Sequence, residues 1–273
     1  MAGEARSPNA PEAHARPVRV VVHMGFHKTG TTSAQSFLRH NGKHLWPVMA
    51  LGLRQQLEPV LFATRAFSTW RDVLSLEKLR LRFAAYLAGL HLGQKRDLLL
   101  SSEELAGHMA GRPGLPDYSA VPEIAEVMEQ EILAAWPAAD VTFFFSLRAP
   151  GPWLKSAWSE HVKSSRMTLD FAAFEAANPS AANFASIIAA TQARVQSTVT
   201  TAWLEKIGTL PFGPATPLLD LMQVSHSRRA RLDPTRRLNT RRDPEVTEAL
   251  LALNRSNLDD AALRAAKDKL LGR

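Results

Sequence analysis

Residues 18–33 read Val-Arg-Val-Val-Val-His-Met-Gly-Phe-His-Lys-Thr-Gly-Thr-Thr-Ser. The first seven, Val18–Met24, are short, β-branched and almost wholly apolar, which predicts a buried strand. Gly25–Gly30 predicts a turn. Thr31–Arg39 predicts the opening of a helix, with Thr31 able to cap it. A glycine-containing turn between strand and helix exposes backbone N–H groups and a helix N-terminus, and both favour a bound anion. Lys28 adds a point charge there, and Thr31 and Thr32 add hydroxyl donors.

The same pattern continues along the chain. Asp97–Leu100 and Val141–Leu147 (VTFFFSL) predict two further buried strands, and the second is the most apolar run in the sequence. Between them lie helical stripes at Leu76–Leu92 and Val121–Trp136, and another helix is expected over Pro152–Lys163. Strands alternating with helices imply βαβ units and a parallel sheet. Polar residues follow each strand, where open α/β sheets bind ligands. The expected architecture is α/β: a three-layer α/β/α domain with a central parallel sheet and a helix-rich C-terminal half. A single domain is expected over 18–273, after a Pro/Ala-rich, disordered tail over 1–17.

Composition narrows the chemistry. The 273 residues contain no cysteine, which removes disulfides, cysteine nucleophiles, Fe–S clusters and cysteine zinc sites. No window approaches a transmembrane length of apolar residues and no secretory leader is evident, so a cytoplasmic location is expected. The net charge is +7, and Arg228–Arg273 holds 12 Lys/Arg against 7 Asp/Glu. A basic excess implies an anionic partner. The Arg228–Arg242 cluster lacks interleaved aromatics, which argues against nucleic acid. No histidine pair has metal-ligand spacing with a third ligand nearby, so no metal is expected.

Gly25 and Gly30 have the spacing of the nucleotide-triphosphatase loop G-x-x-x-x-G-K-[ST]. The lysine, however, comes two residues before Gly30, and Thr31 stands where that loop has its lysine. Asp140 precedes its strand and is a poor magnesium ligand. A second motif follows the third strand: Arg148, Pro150, and Ser156 eight residues after the arginine. An arginine at a strand end can grip a phosphate as a fork, and the serine lies two turns into the next helix.

His23–Gln35 (HMGFHKTGTTSAQ) resembles the 5′-phosphosulfate loop of sulfotransferases that use 3′-phosphoadenosine 5′-phosphosulfate (PAPS). The likeness is strongest to a bacterial, carbohydrate-type branch. Arg148, Pro150 and Ser156 are similar to that family's 3′-phosphate motif, with Trp158 matching an aromatic often found after the serine. The likeness covers about 18–40 and 140–165, and implies a P-loop NTPase-like sulfotransferase fold. It further implies that Lys28 contacts the sulfuryl-bridging oxygen, that Thr29, Gly30, Thr31 and Thr32 hold the 5′-phosphate, and that Arg148 and Ser156 hold the 3′-phosphate.

Sulfuryl transfer to a hydroxyl requires a base. The family takes it from the end of the second strand, here Ser101-Ser102-Glu103-Glu104. Glu103, closer to the strand, is the expected base and Glu104 the alternative. Acids there also suit a helix start. His27 adjoins Lys28, matches a histidine common in the bacterial loop, and is a catalytic candidate that orients the loop or touches the acceptor. His108 and His161 are further acid/base candidates, and His23 reads as a satisfied core histidine. Arg236 and Arg237, beside Asn239, loosely resemble a basic segment that contacts the nucleotide. Residues 40–95 and Met167–Pro179 are expected to shape the acceptor site.

The resulting expectation is an enzyme. It moves a sulfuryl group from PAPS to the hydroxyl of a small molecule or glycan, releasing 3′-phosphoadenosine 5′-phosphate (PAP) without magnesium. The alternatives are a P-loop kinase-like phosphotransferase and a non-catalytic module that binds polyanions.

Overall fold

A computed structural model describes residues 16–93, 95–234 and 244–273. In chain order the elements are β1 (Arg19–His23), α1 (Thr31–His40), α2 (Gly42–Leu45), β2 (Met49–Gly52), α3 (Arg54–Trp70), α4 (Val73–Ala88) and β3 (Asp97–Ser101). After a 3-10 turn, Glu103–Ala106, come α5 (Val121–Ala135), β4 (Asp140–Leu147), α6 (Pro150–Ser164), α7 (Phe171–Ala177), α8 (Phe184–Arg194) and β5 (Thr198–Trp203). The chain closes with α9 (Leu204–Ile207), α10 (Thr216–Leu221), α11 (His226–Arg229), α12 (Pro244–Arg255) and α13 (Asp260–Leu270).

The five strands form one parallel sheet in the order β2-β3-β1-β4-β5. Alternate residues of the three central strands enter two cores. Val20, Val22, Leu98, Leu100, Phe143 and Phe145 join a large cluster with α3 to α6, α8 and α12. Val21, Leu99 and Phe144 pack on the opposite face with α1 and α10. These strands are covered on both sides, so their sequences are continuous apolar runs rather than alternating ones. The layers are helix, sheet, helix, as expected.

Three strands were expected and five are present among the described residues. β2 is only Met-Ala-Leu-Gly, and β5 (TVTTAW) lies at the sheet edge with much of its length exposed. Neither carries the apolar run that marks a buried strand. The helix expected over Leu76–Leu92 begins earlier, at Val73, because the Asp72 carboxylate caps it by accepting from the Ser75 amide.

The expected tail lies outside the described residues up to residue 15. Arg16, assigned to that tail by the sequence, instead pairs with Asp97 at 2.8 Å. Asp97 also accepts from the Arg19 amide and the Arg19 guanidinium. This clamp fastens the N-terminal edge of the sheet, opposite the edge where the loop after β1 emerges.

Candidate functional site

The loop after β1 sits on a buried polar chain that links three strands. Thr29 has one hydroxyl proton and donates it to the Phe26 carbonyl at 2.5 Å. Its oxygen therefore accepts from Ser146, 2.7 Å away. With its proton spent, Ser146 accepts from Nε2 of His23 at 3.2 Å, and Nδ1 of His23 accepts from Ser101 at 2.8 Å. His23 is thereby fixed as the Nε2–H tautomer. Burial pushes its pKa down to about 3, so it stays neutral. His23 is the satisfied core histidine that the sequence suggested. Thr29 supports the loop, and its hydroxyl is already occupied.

Gly25 lies directly over this chain. A Cβ there would come within 2.5 Å of Ser146 Oγ and 2.6 Å of both His23 Nε2 and Thr31 Oγ1. The loop turns at two left-handed residues, Lys28 (φ 66) and Gly30 (φ 95). For a lysine this conformation costs about 1–2 kcal/mol. It is held from outside: Arg148 donates to the Lys28 carbonyl at 3.2 Å, and Trp153 Nε1 donates to the His27 carbonyl at 2.6 Å. The arginine at the end of β4 and the helix that follows thus grip a loop more than a hundred residues earlier in the chain.

Thr31 is not the helix cap. Gly30 holds that position and supplies no side-chain hydrogen bond, so Thr31 becomes the first helical residue. Thr31 is buried, at 3% exposure, and its hydroxyl has no hydrogen-bond partner among the described residues. A helix start without a side-chain cap beside an unpaired buried hydroxyl suits an anion with several acceptor oxygens. Thr32 is exposed.

Lys28 Nζ meets Glu160 Oε2 on α6 at 3.1 Å. Lys163, one turn further along the same helix, holds the other Glu160 oxygen. Burial works against the Glu160 carboxylate, but Lys28 and Lys163 outweigh it and keep its pKa below the usual value. Sequence reasoning missed Glu160. Its signal was the helix spacing: Trp153, Ser156 and Glu160 are three and four residues apart and share a face. Trp153 and Glu160 touch the loop, so half-buried Ser156 lies between two loop contacts.

At the end of β3 the two glutamates differ. Glu104 is committed to α3 through Arg65 at 2.6 Å and Arg54 at 3.6 Å. Glu103 accepts from Gln35 of α1 at 2.8 Å and makes no ion pair among the described residues. Of the two, Glu103 is the carboxylate joined to the loop's own helix.

His27 Nδ1 lies 3.1 Å from the Tyr118 hydroxyl. Burial holds the Tyr118 pKa above its usual value, while the amides of Ala110 and His27 act on its oxygen. The phenol therefore keeps its proton and shares one hydrogen bond with the imidazole. Burial, with His108, Lys28 and His161 nearby, pushes the His27 pKa down to about 3. His27 is thus held as a neutral imidazole.

The other candidates are engaged elsewhere. Nδ1 of His108 meets Arg112 at 2.9 Å, and burial, Arg112 and Arg65 push its pKa down to about 4. His161 Nε2 is held by the Ala110 carbonyl. Trp158, which matches the aromatic often found after the serine, is buried, donates to the Leu169 carbonyl and packs edge-on to Phe171. Asp140 lies at the N-terminal end of β4, paired in register with Arg19 and remote from the loop. Arg236, Arg237 and Asn239 lie outside the described residues. No group of three acidic or histidine residues suited to a metal occurs among the described residues.

No protein-family model matches this chain, and a search of curated proteins finds no match.

Proposed function

We propose that this protein is a PAPS-dependent sulfotransferase acting on an acceptor hydroxyl, with a glycan or another hydroxylated metabolite as substrate. One observation carries the reading. The arginine after β4 and the helix bearing Ser156 close on a left-handed lysine loop, beside a helix start whose Thr31 hydroxyl is buried and unpaired. Gly25 lets the loop pack directly on Ser146, His23 and Thr31, where a Cβ would clash. These features fit a 5′-phosphosulfate, and the misplaced lysine does not fit a triphosphate.

The loop amides, Gly30, Thr31 and Thr32 would hold the 5′-phosphate, with Arg148 and Ser156 on the 3′-phosphate. Bound PAPS supplies the sulfuryl group. Glu103 takes the proton of the acceptor hydroxyl as that oxygen bonds to sulfur. Lys28 meets the negative charge that builds on the bridging oxygen as its bond to sulfur breaks. His27 places a neutral imidazole next to Lys28. The electron pair of the broken bond would leave with PAP.

The test uses PAPS radiolabelled on sulfur with a panel of soluble glycans and hydroxylated metabolites. Label should pass to an acceptor with the wild-type chain and not with Glu103→Gln. Lys28→Ala should cost turnover more than nucleotide affinity, because its charge matters most in the transition state. Arg148→Ala should weaken nucleotide binding by about 1.5–3 kcal/mol, the value of a charge-assisted contact. Transfer of the terminal phosphate of ATP, with no sulfur transfer, would overturn the proposal.

A further inference from the structure

The lysine that the reaction needs is already in use. Lys28 Nζ is 3.1 Å from Glu160, and both side chains are only partly exposed, at 33% and 26%. The Glu160 backbone cannot retreat, because α6 is pinned at both ends. Trp153 ties its first turn to the His27 carbonyl, and the Glu205 carboxylate accepts from the Ala149 amide at its start. At the far end Lys267 donates to the carbonyls of Val162, Lys163 and Ser165. The Lys28 backbone is fixed in turn by Arg148. Movement is left to the two side chains, and Glu160 already touches a second cation, Lys163, on its own helix.

We infer that Glu160 is a positioning residue for Lys28. It is a carboxylate that occupies the loop lysine until a polyanionic ligand displaces it onto Lys163, and it thereby sets the affinity and selectivity of the loop. This inference rests on the phosphosulfate reading above and adds a residue to it. The physical reason is competition for one charge. A phosphosulfate or diphosphate brings several negative charges against Lys28, and a fixed carboxylate a few ångströms away would repel them. Lys163 gives the displaced carboxylate a partner, so release does not strand a charge. A ligand with one or two charges and no nucleoside contacts, such as inorganic sulfate, lacks the binding energy to displace Glu160. The same contact holds Lys28 close to the site while the loop is empty.

The experiment is calorimetry with PAP and, separately, with inorganic sulfate, on the full chain and two variants. Glu160→Gln keeps the shape of the side chain and removes the competing charge. It should bind PAP about tenfold more tightly, as expected for loss of one partly exposed like charge near the ligand, and should gain measurable sulfate binding. Lys163→Met removes the alternative partner and should weaken PAP binding. In the double variant the Lys163→Met effect should vanish. A merely structural role for Glu160 predicts the opposite sign, because a loosened loop would bind more weakly. Equal or weaker PAP binding by folded Glu160→Gln overturns the inference, as does a Lys163→Met effect that persists without Glu160. Failure of the wild-type chain to bind PAP overturns the sulfotransferase reading on which the inference rests.

Discussion

Ser146→Ala tests the polar chain beneath the loop. Ser146 is 1% exposed and sits between His23 and Thr29. Removing its oxygen leaves the His23 Nε2–H without an acceptor in a dry core and takes the donor from Thr29. An unpaired buried donor costs about 1–3 kcal/mol, and the lost bond to Thr29 adds about 1 kcal/mol. The expected loss is roughly 2–4 kcal/mol, which for a chain of this size lowers Tm by about 4–7 °C. Ser101→Ala is the control. It strands only the Nδ1 acceptor of His23, and a buried orphan acceptor is better tolerated than a buried orphan donor. The Ser101 variant should therefore lose less, about 1 kcal/mol. Urea unfolding reads both, as a lower midpoint at unchanged slope. Ser146→Ala within about 0.5 kcal/mol of wild type, or Ser101→Ala as the more damaging change, would refute the donor order assigned to the chain and the tautomer assigned to His23.

Acid should destabilise the protein before ordinary carboxylates titrate. The folded pKa of His23 is depressed to about 3 from 6.5, so the unfolded chain binds the extra proton. The His23 contribution is fully present above about pH 6.5 and falls by roughly 1.4 kcal/mol per pH unit as the pH drops toward 3, and the depressed His27 and His108 add to the loss in the same direction. Urea midpoints that stay flat between pH 7 and 5 would contradict this. Lys267→Met should cost about 2–3 kcal/mol, because the ammonium is 7% exposed and satisfies carbonyls at the end of α6; an unchanged Tm would show that this cap is dispensable. Gly25→Ala should cost about 1–3 kcal/mol and loosen nucleotide binding, since its Cβ meets Ser146, His23 and Thr31 at once; a variant as stable and tight-binding as wild type would show that the close packing of the loop on the polar chain is not needed.

The sheet centre was legible because burial on both faces writes a parallel strand as an apolar run: VRVVVHM, DLLL and VTFFFSL. β2 and β5 escaped for the converse reason, one being four residues with a glycine and the other an edge strand of threonines. The loop could be read from its glycines, lysine and threonines, but the cap could not. Propensity favours threonine at a helix start, whereas a left-handed residue was needed there and Gly30 supplies it at no steric cost. Glu103 and Glu104 could not be separated in one dimension. They part company only because α3, a helix without a clear sequence signal, brings Arg65 and Arg54 to Glu104. Glu160 lay one turn beyond a residue already singled out, and helix-face spacing from Ser156 would have found it.

The central claim is that the loop after β1 and the arginine after β4 form one site for a 3′,5′-bisphosphorylated adenosine. Calorimetry with PAP, run beside ATP and AMP without magnesium on wild type and Arg148→Ala, tests it most directly. The account predicts tight binding of PAP, much weaker binding of ATP and AMP, and loss of the PAP preference in the arginine variant. ATP binding as tightly as PAP, or no PAP binding at all, would contradict it.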